Sequence, residues 1–369
     1  MRPGPAVTGL LALLCLLSAT DLSAQLQVEI TPPELEEGLA QLEALVAVEV
    51  NAAAAEVTNF VNSVLEKPGI LRGIGDATAA AAAVRPYGAA DPQRKYRLSV
   101  GSTAGVAAEV LHWDTMKNRV ESLEETDDMY VGAGANPLVF SFAFPAERLL
   151  NGLWFHTGVG YIDSTSSEFD VRGLGVSGAA GYPVLRRRPL GDYLSHTGVT
   201  ATLGASVLQN EISAVIEPGT VRRTFVVDPD GEGPFFGQEV SVEVDPEIEA
   251  ALESTVYSFS LGASTGIELL GFLGLTLGGT GEVVFGEASL SLSSDDEIEL
   301  KGYLSELVAE DGQSRLVVSG STEAVSPAPV QFSAFTALTF RVSSYEVSIP
   351  VSWRSNSGLG GGIFFGVAF

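Results

Sequence analysis

The feature that most limits what this chain can fold into is an alternation of period two, sustained from Lys95 to Phe369. Tyr345, Val347, Ile349, Val351 and Trp353 share one register, while Glu346, Ser348, Ser352 and Arg354 fill the other. The final stretch, LGGGIFFGVAF (359–369), sets Leu359, Ile363, Phe365, Val367 and Phe369 against mostly small residues. Successive strand residues point to opposite faces, so each segment has one large apolar face and one small or polar face. The segments run about ten residues or more, the length that crosses a bilayer at a tilt. A soluble β-sandwich alternates too, but it hides its apolar face inside. Aromatics at segment ends (Phe340 and Tyr345 beside the Ser343-Ser344 turn, Trp353 at the far end) sit where membrane girdles belong. The expected fold is a transmembrane antiparallel β-barrel of about 14 strands, within 12–16, with an N-terminal helical plug or hatch.

Charge excludes several functions. Against 46 acidic residues stand 20 basic ones, a net charge of −26. That balance offers no basic patch for nucleic acid and no affinity for an anionic inner-leaflet surface. Acids gather in EETDD (124–128), DPDGEG (228–233) and SSDDEIE (293–299), which read as water-facing loops. Mean hydropathy is +0.25. No stretch after the leader reads as a membrane helix, and positive hydropathy without one is the barrel pattern, since only half of each strand meets lipid.

Residues 1–24 read as a signal peptide: Arg2, an apolar run from Gly9 to Ala19, and a small-residue site at Leu22-Ser23-Ala24. Cys15, the single cysteine, lies within it, so the mature chain is expected to carry no disulfide. Residues 25–94 differ in texture from the rest and read as an N-terminal plug region, with the barrel at 95–369. Thr31-Pro32-Pro33-Glu34 looks like a helix start, and Leu35, Leu39, Leu42, Val46, Ala53, Val57, Phe60 and Val64 form an apolar stripe. A kink is expected near Val48–Asn51. A glycine and alanine run follows, in which Gly73, Gly75, Asp76, Ala79 and Ala82 are candidate plug residues. Small side chains let such a helix pack closely or slide. An even strand number puts both barrel termini on the periplasmic side, so the plug is expected to enter from there.

Four stretches carry a family resemblance: GIGDATAAAAAVRPYG (73–88), GANPLVFSFAFPAERLLNGLWFHTGVGY (134–161), STGIELLGFLGLTLGGTGEVVFG (264–286) and the C-terminal SSYEVSIPVSWRSNSGLGGGIFFGVAF. By texture and spacing, residues 70–369 resemble the FadL-like outer-membrane long-chain fatty-acid transporters. The resemblance implies a fourteen-stranded barrel with a small hatch, in the bacterial outer membrane, passing hydrophobic small molecules. The Asn-Pro-Ala motif of that family is absent near the mature N-terminus. Phe365, Val367 and Phe369 also resemble the C-terminal signal read by the outer-membrane assembly machinery. The expected partners are a hydrophobic ligand, membrane lipid and that machinery, for a monomeric chain. A general diffusion porin or a structural, adhesive surface barrel is the alternative.

Enzymatic and metal chemistry finds little support. His112, His156 and His196 are scattered, and Ser195-His196 cannot form a dyad because strand neighbours point apart. Asp228, Asp230, Glu232 and Glu239 match a calcium-loop spacing, but strand-like residues flank them where helices are required. No glycine cluster carries a phosphate-loop Lys-Ser/Thr pair. The expectation is a non-enzymatic chain without a cofactor.

Overall fold

The computed structural model describes residues 25–33, 35, 40–65, 68–84, 96–108, 131–165, 169–217, 219–227, 237–302, 305, 308, 314–355 and 358–369. Two helices, α1 (Ala40–Leu65) and α2 (Pro68–Ala83), accompany fifteen strands. These are β1 (Gln25–Thr31), β2 (Arg97–Ala108), β3 (Val131–Pro145), β4 (Trp154–Thr165), β5 (Phe169–Leu185), β6 (Arg188–Pro189), β7 (Leu194–Ile216) and β8 (Val221–Val227). They continue with β9 (Gln238–Val244), β10 (Ile248–Leu269), β11 (Leu273–Gly302), β12 (Arg315–Ser321), β13 (Val330–Val342), β14 (Tyr345–Arg354) and β15 (Gly358–Ala368).

All pairings are antiparallel, and they close a ring. In order round it run β2, β3, β4, β5, β7, β10, β11, β13, β14 and β15, and β15 returns to β2. Fifteen strands fall within the expected 12–16; the ring itself uses ten of them. The difference comes from strand length. β7, β10 and β11 have 23, 22 and 30 residues, far beyond the ten or so that cross a bilayer. The surplus rises out of the ring instead of turning back into it.

The outer face is apolar where the ring closes. On β10, Tyr257, Phe259, Leu261, Ile267 and Leu269 are exposed. From Tyr257 to Leu269 the strand covers about 41 Å, or about 31 Å of membrane normal at a tilt of ~40°. That exceeds the apolar band of about 25 Å that such barrels present to lipid. At the end holding the short turns (146–153, 270–272, 343–344), Phe369, Tyr96, Phe142, Phe144 and Phe155 form a continuous run of rings 5.5–6.3 Å apart. The far end is marked by a polar rung. Arg172 lies opposite Asp163 and Glu211, 3.7 and 3.9 Å away, and Glu211 is opposite Glu253.

Past that rung the faces exchange character within β11. Up to Phe285 the odd-numbered residues are apolar and exposed, while Thr276, Glu282 and other even-numbered ones face inward. From Glu287 the odd positions are Glu287, Ser289, Ser291, Ser293, Asp295, Glu297, Glu299 and Lys301. The buried positions become Leu292, Ile298 and Leu300. The outer face is therefore built for lipid below and for water above. SSDDEIE (293–299) is strand here, not loop, because its alternation continues into this second regime.

Above the rung stands a head. β8, β9, the end of β11, β12 and β1 form its sheet. One face is covered by α1 through Leu42, Val46, Val50, Ala53, Val57 and Val61, packed with Val240, Val242, Ile298, Leu316 and Val318. Each such Val or Leu contributes about 1.5–3 kcal/mol when fully buried. Asp296 accepts the Glu247 N–H at 2.9 Å and fixes the break between β9 and β10. The outward face carries the exposed pairs Arg315–Asp295 and Lys301–Glu299, and Arg222 paired with the half-buried Glu243. The hydrogen bond to Glu299 holds Lys301 above its ordinary pKa.

Several expectations change. Thr31 ends β1 and does not cap a helix, because its segment pairs with β12; the helix begins at Ala40. α1 runs unbroken through Val48–Asn51. Its span Leu42–Ser63 is apolar enough by composition to cross a membrane, contrary to expectation, since its alanines raise the mean hydropathy to 1.3. Residues 25–94 are not one plug: α1 belongs to the head and only α2 meets the walls of the ring. The loops at 124–128 and 228–233 lie outside the described residues.

Candidate functional site

α2 occupies the lumen. It contacts β2, β3, β7, β10, β11, β14 and β15, which lie on opposing parts of the ring. Ala77, Thr78, Ala79, Ala80 and Ala81 are essentially fully buried. The sequence suits this in two ways. Alanine is the strongest helix former and adds little bulk. The facing walls offer glycine: a Cβ on Gly105 would run into the Ala77 carbonyl, and one on Gly134 would lie 2.7 Å from Thr78 Cα. Backbone meets backbone there with no side chain between.

All five plug candidates lie on this helix. Gly73, Gly75, Asp76 and Ala79 are buried and Ala82 is partly so. Gly75 faces Pro327 and Ala288. Asp76 Oδ1 accepts from the Ala328 N–H at 3.3 Å and from Gln331 Nε2 at 3.4 Å. Thr78 Oγ1 and Ser254 Oγ are 3.1 Å apart. The helix is thus tied on one side to the 328–331 segment and on another to β10.

Below α2 the lumen is polar. Arg354, 1% exposed, pairs with Glu282, which Ser333 and Thr280 also contact. Nearer the short turns a chain of ion pairs crosses the ring. Arg97 on β2 meets Glu346 on β14 at 2.7 Å, and Glu346 meets Arg341 on β13 at 3.5 Å. Arg341 meets Glu268 on β10 at 3.4 Å, and Glu268 meets Arg187 at 3.3 Å. Gly366 on the intervening β15 leaves room for the first link, its missing Cβ 3.1 Å from Glu346 Cγ. Period two places Glu346 and Arg354 together on one register of β14, opposite its apolar face. Their cross-ring pairing was not visible, because it depends on which strands are neighbours.

Between α2 and the β4–β5–β7 wall a cavity of about 40 Å³ remains. Ala81, Ala82 and Val84 line one side, and His156, Gly158, Gly175 and Ser177 the other. It has room for about one water molecule. His156 is buried in this wall. His196 lies elsewhere: its Nδ1 accepts the Gly198 N–H at 3.2 Å, and Nε2 is 2.8 Å from Thr265 Oγ1, which donates to the Gly198 carbonyl. That network makes His196 a bulge-holding residue. His112 lies outside the described residues.

The remaining site residues fall at the edges. Phe365 and Phe369 are exposed on the outer face of β15, with Val367 between them. Phe369 exchanges two backbone hydrogen bonds with Tyr96, both 3.0 Å, at the seam. Of the calcium-loop set, Glu239 is exposed on β9, while Asp228, Asp230 and Glu232 lie outside the described residues. Among the described residues no acidic or histidine cluster is arranged to hold a metal.

Comparison with solved structures finds loose likenesses. One is the translocator domain of the autotransporter NalP from Neisseria meningitidis, 11% identical, with 86% of this chain and 97% of that one covered and a TM-score of 0.30. Others are the Ralstonia pickettii toluene transporter TbuX (8%, 81% and 99%, TM-score 0.23) and a Pseudomonas aeruginosa FadL homologue (10%, 80% and 96%, TM-score 0.20). With TM-scores this low, the barrel rests on its own register. The search of curated proteins finds no match. A family model does match, over residues 21–369, and by it the chain belongs to the Lsa36-like family.

Proposed function

We propose that this protein is an outer-membrane anchor: a barrel sealed by α2 that holds its head on the outer surface of the cell. The observation that carries this is the exchange of faces along β11. One uninterrupted strand passes from a lipid-facing to a water-facing outer surface at Phe285–Glu287, so everything above that point stands clear of the membrane. Bacterial barrels keep short turns in the periplasm and longer excursions outside. The short turns here lie at the end where β2 begins and β15 ends, and the head lies at the other. This orientation reverses the expected entry of the plug. α2 follows directly on α1 and comes into the ring from the head side.

Epitope tags test the orientation. A tag before Gln25 or within 228–236 should be reached by antibody on intact cells, and one at Gly191 only after permeabilisation. The opposite pattern would turn the molecule over and end the display reading.

A second reading is passage of hydrophobic small molecules, such as long-chain fatty acids. One observation favours it: the cavity lies between the plug and a wall of glycine and alanine, where a shift of α2 would open a lane. Protein purified in detergent would then retain fatty acid, and an Ala82→Trp change filling the lane would abolish retention. Absence of bound lipid in the unaltered chain would leave display alone. In either case Phe365, Val367 and Phe369 would serve as the handle for the outer-membrane assembly machinery.

A further inference from the structure

The short-turn rim carries the opposite charge from the rest of the molecule. Arg148 lies in the turn between β3 and β4, and Arg186 and Arg188 in the next turn, between β5 and β7. The first turn lies against the end of β5 that leads into the second, Gly152 beside Pro183. Arg148, Arg186 and Arg188 are exposed and, among the described residues, have no ion-pair partner. In a chain of net charge −26, three unpaired arginines on one rim, with Glu147 and Asp192 the exposed acids beside them among the described residues, make a local positive field. Among the described residues the other charges at this end, Arg97, Arg187, Arg341, Glu268 and Glu346, are engaged with one another.

Apolar side chains flank the arginines. Leu149 is 75% exposed, Leu190 60% and Tyr193 67%. Beside Tyr193 lies an open cavity of about 420 Å³ whose lining includes Arg187, paired with Glu268, together with Asp192, Ser195 and Leu270; the three free arginines lie outside it. The patch sits where the apolar outer face ends, the level of phospholipid headgroups. We propose that this rim binds the phosphate headgroup of an acidic phospholipid, the arginines pairing with its charge and Leu149, Leu190 and Tyr193 meeting the acyl chains. Guanidinium groups suit phosphate, and exposed leucines beside them suit an amphiphile and not a free anion.

This inference rests on the membrane reading, and the test separates the two. Full-length protein is delipidated in detergent and titrated with phosphatidylglycerol or phosphatidylcholine, and retained lipid is read by native mass spectrometry. Phosphatidylglycerol should be held about tenfold more tightly or better. The variant R148Q/R186Q/R188Q should lose that preference while keeping the barrel's heat-modifiable gel mobility. If it does not fold, R186Q/R188Q serves, with a partial loss expected. Equal retention of the two lipids, or an unchanged preference in the variant, overturns the site. Full displacement by inorganic phosphate would assign a free-anion site and overturns the lipid reading. Protein that stays monodisperse without detergent would instead remove the membrane reading itself.

Discussion

Glu346 stands between two arginines, Arg97 and Arg341, with its side chain 3% exposed. Burying such a group is costly unless its partners remain, so the chain of ion pairs is fragile to the loss of a single member. Glu346→Gln leaves two cations facing a neutral amide, and should cost about 3–5 kcal/mol. The measurement is the temperature at which the folded barrel loses its gel mobility. Asp295→Asn, which removes the exposed partner of Arg315 on the head, should cost no more than about 1 kcal/mol. Equal effects would mean that water reaches the lumen freely. The same residues show what a sequence discloses at this scale. Inward placement of Arg341, Glu346 and Arg354 follows from parity alone. Their partners do not, because Arg97 and Glu346 are brought together only when β15 closes on β2.

At the scale of elements, the ring was legible and the head was not. Alternation with aromatic ends marks β13, β14 and β15 with little ambiguity, and the alanine run that became α2 stands out against every neighbour. The head escaped because its strands continue the barrel strands without a break. In β11 the signal that could have found it is a change of parity, apolar residues moving from odd to even positions after Phe285. Acid-rich SSDDEIE drew the eye to solvent instead. α1 misled for a related reason. It begins after a strand, β1, that pairs with residues almost 300 positions away, and no local signal announces that pairing. Since α1 contributes one face of the head core and α2 alone fills the ring, the two should fail separately. Val50, 1% exposed, is central to the α1 contact. Val50→Asp should strip α1 from its sheet, by about 3 kcal/mol or more for a buried unpaired charge. Limited proteolysis should then cut near 66–67 while β2 to β15 keep their barrel mobility. Loss of that mobility as well would make head and ring one cooperative unit.

For the molecule as a whole, the two termini of the described chain lie at different ends. β1 pairs in the head, whereas Tyr96 and Phe369 meet at the short-turn rim. The chain gets from one to the other by way of α2, inside the ring. The seal is therefore part of the chain's own path and not a loop folded in from a wall. Such a plug, two residues from α1, cannot swing out without drawing on the head. Two consequences can be read in a planar bilayer. The full chain should give no steady ion conductance, because α2 lies against opposing walls of the ring and fills its section. A chain lacking residues 25–83 should still close its ring, since the seam between β2 and β15 needs none of them, and should conduct. The charges left behind are unequal, three arginines against two glutamates in the cross-ring chain, so the opened pore should favour anions. Conductance in the full chain equal to that of the truncated one would mean that α2 does not seal the lumen, and the anchor reading would lose its physical basis.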